Sequence, residues 1–287
     1  MGVGLGTRVA APPVLAGRYG LLASAFDPTD SDVDDVWQKG VEYAPAGVDQ
    51  AGTIAQCRTP GDAITDDGTA AASPVILAEP YTLVAGEECK PLEAIEAVQA
   101  RAAAKLENTT ARAAEVVFST NPDGVTTPYL EDDGTRTLID AATPTTANAP
   151  KLAAQLIANW IADTSGQLAM IHVTPAIAVA WEALGLLSEN DSRRLVLRAT
   201  GHVVVVGDGY RGFSAEAVPA AAADATHKWV FVTGPIVKRV TPVRPMVDVL
   251  GDLLDRDTNL VTARAVRELL LYWDTAVHGA LLVDPFA

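Results

Sequence analysis

A run of β-prone residues, His202, Val203, Val204, Val205 and Val206, ends in Gly207, Asp208, Gly209, Tyr210, Arg211 and Gly212. Three glycines in this G-x-G-x-x-G spacing behind a strand are what a dinucleotide pyrophosphate needs: a tight turn, close backbone approach, and a helix N-terminus whose free N–H groups face the anion. The surrounding sequence withholds the rest of such a site. Pro219 interrupts the segment behind Gly212 before a helix can establish, and the next strand ends in Thr233 and Gly234 with no acid to hold a ribose. The loop therefore reads as a glycine-rich β-turn, and no cofactor is expected.

No other group of residues is spaced for catalysis. His172, His202, His227 and His278 are widely separated, none has a second ligand at helical spacing, and there is no Gly-x-Ser-x-Gly elbow. Asp66 with Asp67, and Glu87 with Glu88, offer oxygen ligands, but neither pair has the glycine and terminal glutamate of a calcium loop, so both read as solvated acids. Cys57 and Cys89 fit no metal-ligand spacing and are too few for a disulfide framework, which leaves two thiols. Trp37, Trp160, Trp181, Trp229 and Trp273 fall in different predicted elements and read as packing anchors rather than a stacking platform for bases. These patterns point away from an enzyme and from a metal site.

What the sequence does specify is architecture. Leu92, Ile95, Val98, Ala102, Leu106, Ala113 and Val117 recur in helical steps, with Glu93, Glu96, Arg101, Lys105, Arg112 and Glu115 on the other face. Residues 91–117 are thus predicted as one long helix, roughly 39 Å at ~1.5 Å per residue. Ahead of it, short β-prone runs at 41–43, 53–55, 75–77 and 81–84 alternate with turn residues and read as a long two-stranded excursion whose tip is 61–73. A lone two-stranded ribbon is marginal in water, so one this long must lie on something else. Residues 1–40, punctuated by Pro12, Pro13, Gly17, Gly20 and a cluster of aspartates, read as an extended arm with Tyr19, Leu21, Leu22, Phe26 and Trp37 as apolar anchors.

Behind the helix, residues 119–150 are turn-rich, with a short hairpin predicted around Asp132, Asp133 and Gly134. An α/β rhythm follows. Pro150 stands at a first helical position, the stripe Leu152, Leu156, Ile157, Trp160 and Ile161 ends near Gly166, and 168–173 is a buried strand. Thr174 is read as a cap, with Pro175 opening the next helix. Strands at 202–206 and 228–233 come next, and from Ile236 the chain is mostly β. Residues 260–273 fit either periodicity, and strand is favoured because a turn precedes and a β-prone run follows.

With 287 residues, 49% of them hydrophobic, the chain has ample material for a core. A net charge of −15 and a pI near 4.6 disfavour sequence-specific nucleic-acid binding. Acidic residues crowd the first third and basic ones the last, an asymmetry suited to contacts between copies. No apolar run approaches the roughly 18 residues that would span a bilayer, and the N-terminal residues carry no secretory pattern. The expectation is a soluble protein made in a cytoplasm.

The order of these elements, together with Glu115, Val116, Val117, Phe118, Ser119, Thr120, Asn121, Pro122, Asp123 and Gly124 at the helix exit and Arg264, Trp273, Val283, Asp284 and Pro285 near the end, resembles the major capsid proteins of tailed bacteriophages and the related encapsulins. The resemblance implies an α+β fold with an N-terminal arm at 1–40, an extended β-hairpin loop at 41–90, a peripheral domain with a spine helix at 91–149 and 253–287, and a mixed α/β axial domain at 150–252. It implies a structural subunit, with no catalysis and no cofactor, that self-assembles into an icosahedral head around DNA in the virion, after assembly in the bacterial host cytoplasm. Implied partners are many copies of itself, separate scaffolding, portal and decoration proteins, and packaged DNA bound without sequence specificity, with no membrane. An encapsulin-like compartment, a minor head protein and, further off, a nucleotide-cofactor enzyme are the alternatives. Tyr19, Leu22, Phe26, Trp37, Ile64, Asp66, Asp67 and Arg244 are the residues expected at contacts between subunits. Some members of the family crosslink through a loop lysine, but no lysine lies between Lys39 and Lys90, so cohesion here is expected to be non-covalent. The few residues before Pro12 leave no room for a built-in scaffolding segment.

Overall fold

Leu21 and Ala25 are apolar and four apart, and both are completely buried, which draws part of the arm onto the body of its own subunit. Here Leu21–Ser24 forms one helical turn, α1, rather than an extended strand. The computed structural model describes residues 17–28, 36–43, 76–89, 95–121, 124, 128–132, 134–139, 149–210, 227–246, 254–255 and 260–287. After a 3-10 turn at Val36–Lys39, β1 (Val41–Tyr43) pairs antiparallel with β2 (Ile76–Ala78), Val41 opposite Ala78. These two strands form a sheet of their own, joined through residues 44–75. The predicted strand at 53–55 and the tip at 61–73 lie outside the described residues.

β3 (Tyr81–Cys89) then leads to α2 (Ile95–Thr120), the long predicted helix, 26 residues in length. Its buried ridge is Val98, Ala102, Leu106, Thr110, Ala114 and Phe118, a strict step of four. The ridge departs from expectation beyond Leu106, where Ala113 and Val117 had been placed inward. Thr110 keeps the step because its hydroxyl donates to the Leu106 carbonyl at 2.6 Å, so a polar residue holds a core position with its own hydrogen bond satisfied.

Past the helix the chain turns through 128–136. Asp132 Oδ1 accepts from the Gly134 amide at 2.9 Å, and among the described residues no hairpin is formed there: β4 (Thr137–Leu138) runs parallel to the last strand of the chain. α3 (Pro150–Thr164) begins at the expected proline, and Gly166, two residues past its end, has a φ of +62° that suits glycine. β5 (Met170–Val173) follows, then α4 (Pro175–Ala183). Thr174 occupies the cap position with its carbonyl, which accepts from Ile177 and Ala178, while its hydroxyl makes no capping bond. β6 (Leu187–Glu189), β7 (Leu195–Leu197), β8 (Val203–Val206), β9 (Lys228–Thr233), β10 (Val237–Val240), β11 (Arg244–Met246), β12 (Leu254–Asp255), β13 (Leu260–Tyr272) and β14 (His278–Val283) complete the chain.

Two larger sheets result. In the first, the 13-residue β13 is central. One of its edges pairs with β3 over nine residues and the other takes β10, β11 and β12 in succession. The favoured strand reading of 260–273 is the one observed. Ala263 and Ala265 of β13 are small, which lets Val98, Ala102 and Leu106 of α2 pack directly onto the sheet. The second sheet runs β4-β14-β9-β5-β8-β7-β6. α3 and α4 cover one face through Ile157, Ile161, Ile177 and Trp181, and the Trp181 Nε1 donates to the Pro150 carbonyl at 2.8 Å. Phe118 of α2, Trp273 and Leu21 close the other face.

The expected domain division at 252/253 does not follow the sheets. β14, from the tail, lies in the seven-stranded sheet, whereas β10 and β11, from the middle, pair with β13. The chain crosses between the sheets at 234–236 and again at 273–277, so each sheet draws on both segments.

Candidate functional site

The described part of the glycine loop after β8, residues 207–210, lies against the long helix. A Cβ on Gly209 would stand 2.6 Å from Glu115 Cβ, 2.7 Å from the Arg112 carbonyl and 3.0 Å from the Val116 nitrogen. A Cβ on Gly207 would meet the Tyr210 ring at 2.5 Å. Both glycines are thus required by close packing. The Gly209 amide, which a pyrophosphate would need, instead donates to Glu115 Oε2 at 2.8 Å, and a carboxylate in that place repels an anion. Arg211, Gly212 and Pro219 lie outside the described residues.

Glu115, expected on the polar face, is only 4% exposed. Its other oxygen, Oε1, accepts the Leu21 amide of α1 at 3.1 Å, and a Cβ on Gly20 would lie 2.8 Å from that oxygen. One carboxylate therefore joins the arm, the helix and the glycine loop. Burial pushes its pKa up, the amides of Gly209, Leu21 and Asp208 pull it down, and the charge of Asp208 pushes it up. Beside it runs an open groove of about 860 Å³ lined by Leu22, Ala113, Val117, Val206 and Asp208.

Tyr210 continues the network inward. Thr233 Oγ1 donates to the Gly234 carbonyl at 2.9 Å, so it must accept from His172 Nε2, also 2.9 Å away. That fixes Nδ1 as the acceptor of the Tyr210 hydroxyl at 2.9 Å. His278 has the same tautomer: Nε2 donates to the Leu130 carbonyl at 3.0 Å, leaving Nδ1 to accept from Thr135 at 2.8 Å. Both imidazoles are neutral. Burial lowers the His172 pKa to about 3 and that of His278 to about 4. Between pH 6.5 and about 4 the unfolded chain takes up these protons and the folded one does not, so this stability is complete above pH 6.5 and is lost on acidification. The slope is about 1.4 kcal/mol per pH unit for each histidine. Glu115, whose shift has the opposite sign, offsets part of it. Urea midpoints should fall from pH 7 to pH 5, with a shallower fall in His278→Gln; equal midpoints at the two pH values would contradict the assignment.

The residues expected at subunit contacts separate into groups. Tyr19, Leu22 and Phe26 come together where the arm docks. The Tyr19 hydroxyl donates to Glu189 beside the Arg18–Glu189 ion pair, and Leu22 packs near Tyr81 and Ala114. Phe26 exchanges backbone bonds with Ile236 and Lys238, under the Arg194 guanidinium at 3.9 Å. Trp37 lies elsewhere, buried with Ala78 and Leu270 at the foot of the ribbon. Arg244, on β11, pairs with Glu268 at 3.1 Å on the surface. Ile64, Asp66 and Asp67 lie outside the described residues. Glu115, Tyr210 and Glu189 were not anticipated. Position 115 is one residue off the apolar ridge, and no periodicity marks it.

Among the described residues, no three His, Cys, Asp or Glu side chains gather to hold a metal, and no helix is long and apolar enough to cross a membrane. No protein-family model matches the chain, and no curated relative does. Solved structures do resemble it. The capsid of a native GTA particle superposes with a TM-score of 0.56 at 14% identity, over 98% of this chain and 95% of that one. The capsid of an empty GTA particle gives 0.55 at 16% identity with the same coverage. A chain from Mycobacterium phage Ogopogo gives 0.50 at 12% identity, over 96% of each.

Proposed function

We propose that this chain, whose α+β architecture is the capsid fold of tailed phages, is a structural subunit that assembles with many copies of itself into a closed icosahedral shell around a DNA genome. The observation that carries this reading is the separate two-stranded sheet β1–β2. Its three residue pairs are seated at the foot on Leu270 and Tyr272 of the same subunit, and a two-stranded ribbon with a 32-residue connection, residues 44–75, gains the rest of its packing from a neighbouring copy. Leu77 and Val84, at the foot of that excursion, are exposed apolar side chains. Many such weak contacts, repeated by symmetry, close a shell without a covalent lock.

In this reading the chain is not an enzyme. Leu22, Phe26 and Trp37 act from within, seating the arm and the ribbon so that they leave the body in fixed directions, while Ile64, Asp66, Asp67 and Arg244 face neighbours. The shell is a virion component assembled in the host cytoplasm. Scaffolding, portal and decoration proteins are separate chains, and the acidic balance of the subunit fits DNA held without sequence readout. Deleting residues 61–73 tests the proposal. The variant should keep its helices, sheets and solubility, because the described core makes no use of that segment, while particle yield falls several-fold. Undiminished particle formation would contradict it.

A further inference from the structure

We propose that Glu115 is a proton-linked latch: its two oxygens hold the arm segment and the glycine loop on α2, and the hold changes with the charge on the carboxylate. The site is built for the purpose in three respects. Oε1 accepts the Leu21 amide at 3.1 Å and Oε2 the Gly209 amide at 2.8 Å, with the Asp208 amide also bonded to the carboxylate, and Leu21 and Gly209 are 188 positions apart in sequence. Each segment presents a glycine, Gly20 and Gly209, whose missing side chain makes room for Glu115 itself. The loop is in turn anchored to the seven-stranded sheet through Tyr210, His172 and Thr233, so Glu115 fastens the arm to the rigid part of the molecule.

The arm's own hold is short. α1 has four residues, and outside Glu115 the segment is secured by the burial of Leu21 and Ala25, by the Val206 amide on the Tyr19 carbonyl, by the backbone bonds of Phe26 with Ile236 and Lys238, by Lys238 Nζ on the Leu22 carbonyl, and by Arg18 and Tyr19 on Glu189. Among the described residues, the titratable groups around the carboxylate are Asp208 and Tyr210 from the loop and Arg112 from its own helix, while the arm's Arg18 is turned to Glu189.

The sign follows from the environment. Burial is the largest influence on Glu115 and raises its pKa, against the Gly209, Leu21 and Asp208 amides that lower it. The loop's groups stay on the carboxylate when the arm leaves, so docking itself adds the cover over Oε1, which raises the pKa, and the Leu21 amide, which opposes it less. The docked arm therefore favours the protonated acid more than a released arm would, and docking weakens as pH rises through the docked titration. For each pH unit between the released and docked titrations the docking equilibrium moves by up to about tenfold.

Hydrogen exchange of the Leu21, Ser24 and Ala25 amides, corrected for intrinsic chemistry and followed from pH 5 to 8, reads this directly. Protection should fall with rising pH in the native chain and lose its pH dependence in Glu115→Gln. In Asp208→Asn the fall should move to lower pH, because a neighbouring negative charge has been removed, and this variant leaves Glu115 in place should the first not fold. Native protection that is flat with pH, or a native slope that survives in Glu115→Gln, would overturn the proposal. Neither readout requires particles, so the latch and the shell stand or fall separately.

Discussion

Gly209→Val lowers the stability of the folded chain by about 2.5–6 kcal/mol, combining an overpacked contact of about 1–3 kcal/mol with a lost hydrogen bond to a charged group worth about 1.5–3 kcal/mol. The collision is with backbone: a Cβ at this position already stands 2.7 Å from the Arg112 carbonyl and 3.0 Å from the Val116 nitrogen, and neither can move without unwinding α2. Shifting the loop instead pulls the Gly209 amide off Glu115 and leaves a buried carboxylate with one donor fewer. Gly209→Ala should act in the same direction with a smaller effect, since its Cβ alone is in conflict. Denaturant midpoints measure both. Valine tolerated within about 0.5 kcal/mol, the range of ordinary surface substitutions, would mean that the loop does not lie on the helix as described.

Trp273→Ala should cost a similar 3–5 kcal/mol, the range for emptying a buried aromatic position. Trp273 is 1% exposed and sits where the chain leaves β13 for the seven-stranded sheet. Its ring meets Phe118 edge-on with centroids 5.0 Å apart and His278 at 5.8 Å, so one side chain contacts the helix exit and the last strand together. Its carbonyl accepts the Tyr43 hydroxyl at 2.7 Å, which ties the foot of the ribbon to the same point. Trp273→Phe should cost much less than Ala. The indole Nε1 is buried without a hydrogen-bond partner among the described residues, so phenylalanine forfeits some volume but no satisfied polar group. Equal losses for Ala and Phe would show that the site depends on the indole nitrogen and not on filled volume.

The elements of this fold were legible wherever a local pattern met a single packing partner. The four-residue apolar step of α2, the prolines opening α3 and α4, and the valine run of β8 each follow from local chemistry, and β13 was recoverable from its neighbours. The glycine loop was read as a β-turn from its own sequence, but the reason Gly209 is required lay in α2, 94 residues away, where no local pattern points. Glu115 was missed for the same cause. A helix read alone has one buried face, and α2 has a second covered strip because the arm and the loop dock on it near its C-terminal end. The arm was read as extended, with anchors expected at contacts between subunits, yet residues 17–28 pack on their own subunit through Leu21 and Ala25, two positions that look no different from their neighbours. Sheet membership was illegible at the crossings, since nothing in the sequence from Trp273 to Val277 announces that β13 and β14 part company.

Electron microscopy of the purified full-length chain in negative stain, at concentrations where weak contacts are populated, tests the central claim most directly. Closed shells of uniform diameter are the expected image. A field of single subunits that persists at high concentration, with the ribbon and arm engaged only on their own body, would contradict it.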